Sequence, residues 1–185
     1  VRANKQAKTW AENLAKADPP IPVLSSNSLI IGQSPKVQLL VHAMQYLYDP
    51  TDDLARATVL NDYYCYFSPD GEQDPATRFR TARDPELTEK ALPEALTRQQ
   101  AYLQKLPLYD LGEALIRIFD LSHRYDAYLQ RFLDLLLDYA RQRQGDLDQF
   151  LDWWEEKGYK ETIQVPAGAN AVRIETVHQT KGLEF

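Results

Sequence analysis

Residues 34–61, SPKVQLLVHAMQYLYDPTDDLARATVLN, carry the clearest structural pattern in this chain of 185 residues. Ser34 followed by Pro35 is typical of a helix start, because serine can cap the first N–H groups and proline fits the first helical position. Apolar residues then recur at i, i+3, i+4 and i+7, which predicts an amphipathic helix that ends at Asp49-Pro50. The predicted buried face consists of Val37, Leu40, Val41, Met44, Leu47 and Tyr48.

A second helix is predicted directly after this turn. Thr51 is expected to cap it, with Asp52 and Asp53 placed favourably against its N-terminal dipole. Residues 67–98 are predicted to form a loop with one helical turn at most. The reason is that the residues SPDGEQDP are typical of turns, and the sequence from there to Arg83 is polar and charged.

The helical pattern returns from Leu108. One predicted helix has the apolar residues Leu111, Leu115, Ile118 and Phe119. A longer helix has the apolar residues Tyr125, Tyr128, Leu129, Phe132, Leu133, Leu136 and Ala140, and Gly145 is expected to end it. Asp146 and Gln149 resemble a capping box for a last helix, which is expected to end at Gly158. Its predicted buried stripe is Leu147, Phe150, Leu151 and Trp154.

Strand-like sequence lies near both ends of the chain. Residues 3–16 read as a helix, and three prolines end it before a short predicted strand at Ile21 to Leu24. ETIQVPAGANAVRIET, residues 161–176, alternates β-branched with polar residues around a turn and predicts two short strands. A mainly α chain with strands at its ends suits a helical insertion carried by a small α/β domain.

Composition narrows the possible functions. The net charge of −6 argues against a basic surface over the whole chain that would grip nucleic acid. Cys65 is the only cysteine, which excludes an internal disulfide and zinc sites built on several thiolates. No run of about 18 apolar residues predicts a membrane span. We therefore expect a cytoplasmic protein without a membrane partner.

The last residues carry the most specific motif. The chain has no GxxxxGK[ST] phosphate loop and no dinucleotide fingerprint. Val172, Ile174 and Thr176 predict a strand that leads into His178 and the residues after it. A strand ending in hydroxyl, imidazole and ammonium groups offers donors to phosphates, although spacing alone favours an ordinary solvated strand end.

TVHQTKGLEF, residues 176–185, resembles motif V of superfamily 1 helicases of the UvrD/Rep type, T-[LIV]-H-x-[AS]-K-G-L-E-F. Eight of the ten positions agree, and Thr180 replaces the usual Ala or Ser. VRANKQA at the start is similar to motif IV, [VY]-R-[ST]-N-x-Q-[AS], with Ala3 in place of Ser or Thr. Residues 34–61 and 145–178 also resemble that family, in a style closest to the RecB/AddA branch of helicase–nucleases.

The resemblance implies a domain plan. Residues 1–62 and 164–185 would be partial segments of the RecA-like α/β domain 2A, and residues 63–163 would be the helical 2B insertion. The chain would then run from motif IV to motif V of a longer enzyme that unwinds DNA in repair and recombination. Without the phosphate loop and the later arginine motif, this chain alone is expected not to hydrolyse ATP.

The resemblance also implies residue roles. Arg2 would contact the γ-phosphate of ATP and act in catalysis as a charge clamp. Gly182 and Glu184 would also face ATP, with Glu184 on the ribose, and Lys181 would couple the nucleotide and DNA sites. Thr176 and His178 would contact single-stranded DNA. ATP and Mg²⁺ would be the cofactors of the longer enzyme, with none expected on this chain alone. Its partners would be single-stranded and duplex DNA, the rest of the helicase polypeptide and a nuclease subunit.

Two rival functions remain open. One is a helical protein–protein docking module without DNA or ATP activity, and the other is a stand-alone nucleic-acid-binding domain. The aromatic residues Trp153, Trp154 and NDYYCYF (residues 61–67) could stack on bases, but helical spacing favours core packing for Trp154 and an apolar join between helices for residues 61–67.

Other conspicuous residues have structural interpretations. We expect Cys65 to be a small buried residue rather than a nucleophile. His42 and His123 are expected to be structural or solvated. The acidic run from Asp146 to Glu161 is expected to be a solvated face rather than a nuclease metal site.

Overall fold

The computed structural model describes residues 23–25, 30–67, 74–122, 126–143, 146–163 and 172–174. The chain divides into two compact units, one formed by Ile31–Glu161 and the other by Val1–Ile30 with Thr162–Phe185. The described residues are mainly helical, which confirms that part of the predicted fold class. The helix predicted over residues 3–16 lies outside the described residues, and the domain boundaries at residues 62 and 163 stay predictions.

The unit that contains both chain ends has a parallel strand pair. Strand β1 (Val23–Ser25) pairs with strand β2 (Val172–Ile174), in the register Val23 to Val172 and Ser25 to Ile174. This pairing confirms a short strand near each end of the sequence. Of the two strands predicted over residues 161–176, β2 is the second. Thr162 forms only an isolated antiparallel bridge with Ile30, and residues 164–171 lie outside the described part.

The helical unit, Ile31–Glu161, begins and ends with short 3₁₀ turns at Ile31–Gln33 and Gly158–Lys160. The described α-helices of the helical unit are α1 (Pro35–Tyr48), α2 (Asp53–Asp62), α3 (Pro75–Ala82), α4 (Pro85–Ala91), α5 (Glu94–Arg98), α6 (Gln100–Leu103), α7 (Leu108–Ile118), α8 (Ala127–Arg143) and α9 (Leu147–Glu156). A five-residue π-helical segment, Tyr63–Phe67, follows α2.

Helix α1 has the predicted limits, with Pro35 in the first turn and Asp49 at the C-cap. Ser34 is the N-cap residue, but its side chain makes no capping hydrogen bond, which differs from the prediction. Five of the six residues predicted on its buried face are buried, and Leu39, Ala43 and Tyr46 are buried as well. Burial is this wide because α2, α7, α8 and α9 all pack against α1. The prediction for Tyr48 is wrong: its side chain is 57% exposed. It is the last residue of the helix and lines an open cleft.

The cap of α2 also differs from the prediction. Asp52, not Thr51, is the N-cap, and its carboxylate accepts a 2.9 Å hydrogen bond from the N–H of Leu54. Thr51 instead donates its N–H and its hydroxyl to Oδ1 of Asp49, at 2.9 and 2.6 Å. The threonine is thus held in the preceding turn and does not cap the helix.

The prediction of a loop over residues 67–98 is wrong, because α3, α4 and α5 occupy residues 75–98. Asp74-Pro75 and Asp84-Pro85 start α3 and α4. The Asp74 carboxylate accepts hydrogen bonds from the N–H groups of Ala76 and Thr77. The Asp84 carboxylate accepts hydrogen bonds from the N–H groups of Glu86 and Leu87. Each of these helices buries few side chains, so its sequence lacks the apolar periodicity of α1.

Helices α7, α8 and α9 complete the core with the predicted apolar stripes. Phe132 of α8 packs edge-on against Trp154 and Phe150 of α9, with ring centroids 5.4 and 6.3 Å apart. Three residues of those stripes, Ile118, Tyr128 and Ala140, are only half-buried, and the start of α9 also differs from the prediction. Asp146 is the N-cap of α9, but its side chain makes no capping hydrogen bond, so the predicted capping box is absent there; Leu147 is only half-buried. Tyr125 and Gly145 lie outside the described residues.

Candidate functional site

The six residues to which the sequence assigns roles lie outside the described residues. They are Arg2, Thr176, His178, Lys181, Gly182 and Glu184. Their roles with ATP and DNA therefore stay predictions. The structure does describe the strand that precedes five of them in sequence, because β2 ends at Ile174.

The parallel pairing of β1 and β2 defines one edge of this unit. Ser25 and Ile174 are register partners, so the two strands end at the same edge. Open α/β sheets bind their ligands at the carboxyl ends of parallel strands. Residues 175–185, which contain the predicted motif, follow β2 directly in the sequence.

The two ends of the helical unit are held together by backbone and side-chain contacts. The N–H of Ile31 donates to the carbonyl of Glu161 at 2.8 Å, and the Glu161 carboxylate pairs with Arg131 of α8 at 2.9 Å. Glycine is required beside this join, because a Cβ on Gly32 would lie 2.5 Å from the backbone oxygen of Tyr159. The helical unit thus begins and ends at one place.

A cleft of about 390 Å³ lies within the helical unit, between α1, α2 and α3. We call it the α1–α3 cleft; the side chains that give it its chemistry are His42, Thr58, Asn61, Asp62, Arg78 and Phe79. Its size falls in the roughly 300–1,000 Å³ range of small-molecule sites. The sequence analysis did not identify it, because these residues come from three separate helices, one of which was predicted to be a loop.

A buried acid anchors the cleft. Oδ2 of Asp62 lies 2.7 Å from Nδ1 of His42, and Oδ1 accepts a weaker bond from the Asn61 amide at 3.3 Å. The Asp62 side chain is 9% exposed, and that of His42 is 28% exposed. This pairing confirms the expected structural role of His42. His123 lies outside the described residues.

Arg78 of α3 forms the opposite side of the cleft. Its Nη1 donates to Oδ1 of Asn61 at 3.0 Å and also contacts Sγ of Cys65. Its Nε is buried and has no hydrogen-bond partner among the described residues. Cys65 is half-buried, so the prediction of a small buried cysteine is wrong. Its Sγ contacts the guanidinium of Arg78 on α3.

Several side chains of the helical unit have pKa values that are shifted further from neutral pH than usual. Hydrogen bonds from Thr51 lower the pKa of Asp49, and those from Thr77 lower the pKa of Asp74. Burial raises the pKa of Tyr46, and the neighbouring Glu113 carboxylate raises that of Tyr109. Groups shifted in these directions stay in their usual charge states, so they are poor candidates for proton transfer near neutral pH.

The described residues contain neither a metal-ligand cluster nor a helix suited to crossing a membrane. Within these ranges, no three His, Cys, Asp or Glu side chains lie close enough together to hold a metal ion. Among the described helices, none has the length and apolar character needed to cross a bilayer. Asp152, Glu155 and Glu156 are exposed, as expected for the acidic run.

The structure agrees only in part with the packing that the sequence predicts for the aromatic residues. Trp154 is 6% exposed and belongs to the core, which confirms its predicted packing role. Trp153 is half-buried, with its ring 5.2 Å from that of Tyr139. In the NDYYCYF stretch, Tyr64 is buried as the apolar-join interpretation requires, whereas Tyr66 is 60% exposed.

Comparison of the chain with models of known protein families and with curated proteins gives no match.

Proposed function

We propose that this chain is the part of an ATP-dependent DNA helicase of the UvrD/Rep type that runs from motif IV to motif V, of the RecB/AddA-like branch. Residues 63–163 correspond to the 2B insertion, and residues 1–62 and 164–185 are partial 2A segments. In the longer enzyme, ATP lies between two RecA-like domains and single-stranded DNA passes over the same pair.

One observation carries the proposal. The motif-like sequence TVHQTKGLEF begins two residues after Ile174, the last residue of a strand that is parallel to β1. This agreement matters because motif V must follow a parallel strand in order to reach both nucleotide and DNA from one sheet edge. An unrelated helical protein is not expected to combine that sequence with a pair of parallel strands from near its two ends.

The proposed chemistry follows from charge and position. Arg2 supplies a guanidinium to the γ-phosphate, where negative charge must be stabilised during phosphoryl transfer. Gly182 permits close approach of the backbone, and Glu184 accepts hydrogen bonds from the ribose hydroxyls. Thr176 and His178 donate to DNA phosphates, which carry no sequence information. Lys181 lies between these two groups in sequence and couples them. Mg²⁺ would neutralise charge on the phosphates.

The test uses the polypeptide encoded by the complete reading frame. Glu184→Ala is expected to raise the KM for ATP while leaving single-stranded DNA binding unchanged. His178→Ala is expected to reduce the stimulation of ATP hydrolysis by DNA. Glu156→Ala, which changes an exposed acid on α9, is the matched control. The proposal fails if the complete polypeptide has no DNA-stimulated ATPase activity, or if Glu184→Ala behaves like the control.

A protein–protein docking module is the second candidate. It is favoured by the large apolar side chains that the helical unit leaves exposed, including Leu54 at 69% and Tyr102 at 61%. Aromatic side chains such as tyrosine are enriched in the centres of protein–protein interfaces. A titration of this chain with single-stranded DNA at several salt concentrations separates the candidates. Tight binding with a steep salt dependence would reject a module that lacks DNA activity.

A further inference from the structure

We infer that the exposed face of α3 and the adjoining α1–α3 cleft form a binding site for single-stranded nucleic acid, with Phe79 stacking on one base and Arg80 and Arg83 contacting phosphates. The inference deepens the proposed function and rests on it only for the choice of DNA over RNA. It concerns the helical unit, and none of the motif residues takes part.

Local charge is the first observation. Residues 75–83, PATRFRTAR, contain three arginines and no acid, within a chain whose net charge is −6. Arg80 and Arg83 are exposed, and Arg80 donates to the Thr77 hydroxyl at 3.3 Å and helps to lower the pKa of the Asp74 carboxyl. Asp74 and Asp84, the acids on either side of this run, accept hydrogen bonds from the first N–H groups of α3 and α4. The stretch between these two capping acids therefore carries three arginines, of which two are exposed.

The second observation is an exposed aromatic ring at the centre of that charge. The Phe79 side chain is 60% exposed, although phenylalanine usually avoids water. The guanidinium carbon of Arg83 lies over the ring, 5.8 Å from its centroid, in a cation–π arrangement. Single-strand binding sites combine an aromatic stacking platform with basic side chains that follow the backbone.

The cleft supplies the third observation. Phe79 and Arg78 form one wall of the α1–α3 cleft, and His42 and Asn61 lie opposite. A base that stacks on Phe79 would therefore extend towards amide, imidazole and guanidinium groups that can hydrogen-bond to its edge. The buried Nε of Arg78 has no hydrogen-bond partner in the described part of the chain.

A single strand fits these features better than the alternatives. A duplex keeps its bases paired, so an exposed ring would have no unpaired base on which to stack. An acidic peptide would use the arginines but would gain little from the ring. Single-stranded nucleic acid would contact the ring, the arginines and the cleft together.

The experiment measures binding of a fluorescent oligothymidylate to the 185-residue chain by anisotropy, at salt concentrations from about 50 to 200 mM. Phe79→Ala is expected to weaken binding about tenfold, within the range measured for loss of one base stack. Arg80→Gln with Arg83→Gln is expected to reduce the salt slope by about 1.4, since each phosphate contact contributes about 0.7 for single strands. Matched controls are Tyr102→Ala, an equally exposed aromatic outside the cleft, and Lys105→Gln with Lys157→Gln.

Several results would overturn the inference. One is the absence of oligothymidylate binding, and another is equal binding by the wild type, Phe79→Ala and the double arginine variant. A third is binding of duplex DNA or a polyglutamate peptide that matches oligothymidylate and does not depend on Phe79. If Thr176→Ala with His178→Ala abolishes binding while the α3 variants do not, this inference fails and the proposed helicase function stands. If the α3 variants weaken binding but the complete polypeptide has no DNA-stimulated ATPase activity, the reverse holds.

Discussion

His42 on α1 and Asp62 at the end of α2 are joined by a hydrogen bond of 2.7 Å between Nδ1 and Oδ2. The bond connects two helices at the point where α2 passes into the π-helical segment Tyr63–Phe67. Because Asp62 is nearly buried, its carboxylate depends on His42 and Asn61 for compensation. The pair therefore fixes the rear of the α1–α3 cleft.

A double-mutant cycle of His42→Ala and Asp62→Ala tests this pair. We expect a coupling free energy of unfolding of about 0.5–3 kcal/mol, as for residues in one hydrogen-bond network. Denaturant unfolding near neutral pH provides the measurement. His42→Ala combined with Asp134→Ala, an exposed acid on α8, serves as the control and should be additive. Additivity in the His42–Asp62 cycle would show that the contact contributes nothing to stability.

Arg56 is expected to be essential for the join between α2 and α3. Its side chain is 4% exposed and donates to the carbonyls of Pro50 and Ala82 at 2.6 and 2.8 Å, as well as to the Asp53 carboxylate. Arg56→Met should cost about 2 kcal/mol or more in the free energy of unfolding, because buried carbonyls lose their donors.

Arg56→Lys should recover only part of that loss, since an ammonium cannot reproduce the planar donor geometry. The control is Arg98→Ala, whose 77% exposed side chain pairs with Glu94 one helical turn away and should contribute about 0.5 kcal/mol or less. Similar costs for Arg56→Met and Arg98→Ala would contradict the role of Arg56.

Two glycines should respond differently to alanine. At Gly32 the new Cβ would lie 2.5 Å from a backbone oxygen, that of Tyr159, so the backbone itself must move. At Gly112 it would meet Cδ1 of Leu136 at the same distance, but a leucine tip can rotate, and alanine has the higher helix propensity by about 1 kcal/mol.

We therefore expect Gly32→Ala to destabilise the chain by about 1–3 kcal/mol and Gly112→Ala to be nearly neutral. Thermal unfolding of both variants against the wild type decides the matter. Equal losses would mean that the α7–α8 contact at Leu136 is as rigid as the backbone.

Asp74 should stabilise α3 in a pH-dependent way. Bonds from the Thr77 hydroxyl and from two N–H groups lower its pKa below the ordinary value of 3.8. A lowered folded-state pKa contributes stability above the unfolded-state pKa, and that stability is lost as the pH falls through the folded-state pKa. Asp74→Ala should thus be destabilising at neutral pH, with the difference disappearing in acid.

Thr77→Val isolates the largest of these bonds. The pKa of Asp74, followed by NMR titration, should rise towards 3.8 without reaching it, because the N–H groups of Ala76 and Thr77 still donate. Thr97→Val on α5, where the hydroxyl bonds only to a backbone carbonyl, should leave the Asp74 pKa unchanged. No change in Thr77→Val would exclude the hydroxyl as a cause.

Core and surface phenylalanines should separate clearly. Phe132 is fully buried against α9, so Phe132→Ala should cost about 3–5 kcal/mol. Phe79→Ala should change the free energy of unfolding by less than about 0.5 kcal/mol, because its ring is largely exposed. A large loss in Phe79→Ala would indicate a packing role and would weaken its use as a binding probe. Denaturant midpoints measure both.

The sequence predicted those helices whose local signals and burial agree. In α1, Ser34-Pro35, the apolar stripe and the Asp49-Pro50 turn all indicate the same limits, and the structure has them. Helices α3 and α4 start with equally strong Asp-Pro signals, but they bury so little that an apolar stripe could not reveal them. Periodicity detects burial, and a helix on the surface lacks it.

The cleft could not be predicted for a related reason. His42, Asp62 and Arg78 come together only when α3 packs against α2, and that packing depends on contacts such as Arg56 to Ala82 between residues far apart in sequence. Likewise, nothing local distinguishes Thr51 from Asp52 as the cap. The choice follows from Thr51 being drawn to Asp49.

Because Ile31 and Glu161 are hydrogen-bonded neighbours, the helical unit has its first and last residues side by side. Such a unit can be added to a chain or removed from it as one segment. Residues 31–161 could be produced alone, circularly permuted by linking Glu161 to Ile31, or replaced by a tight turn between Ile30 and Thr162.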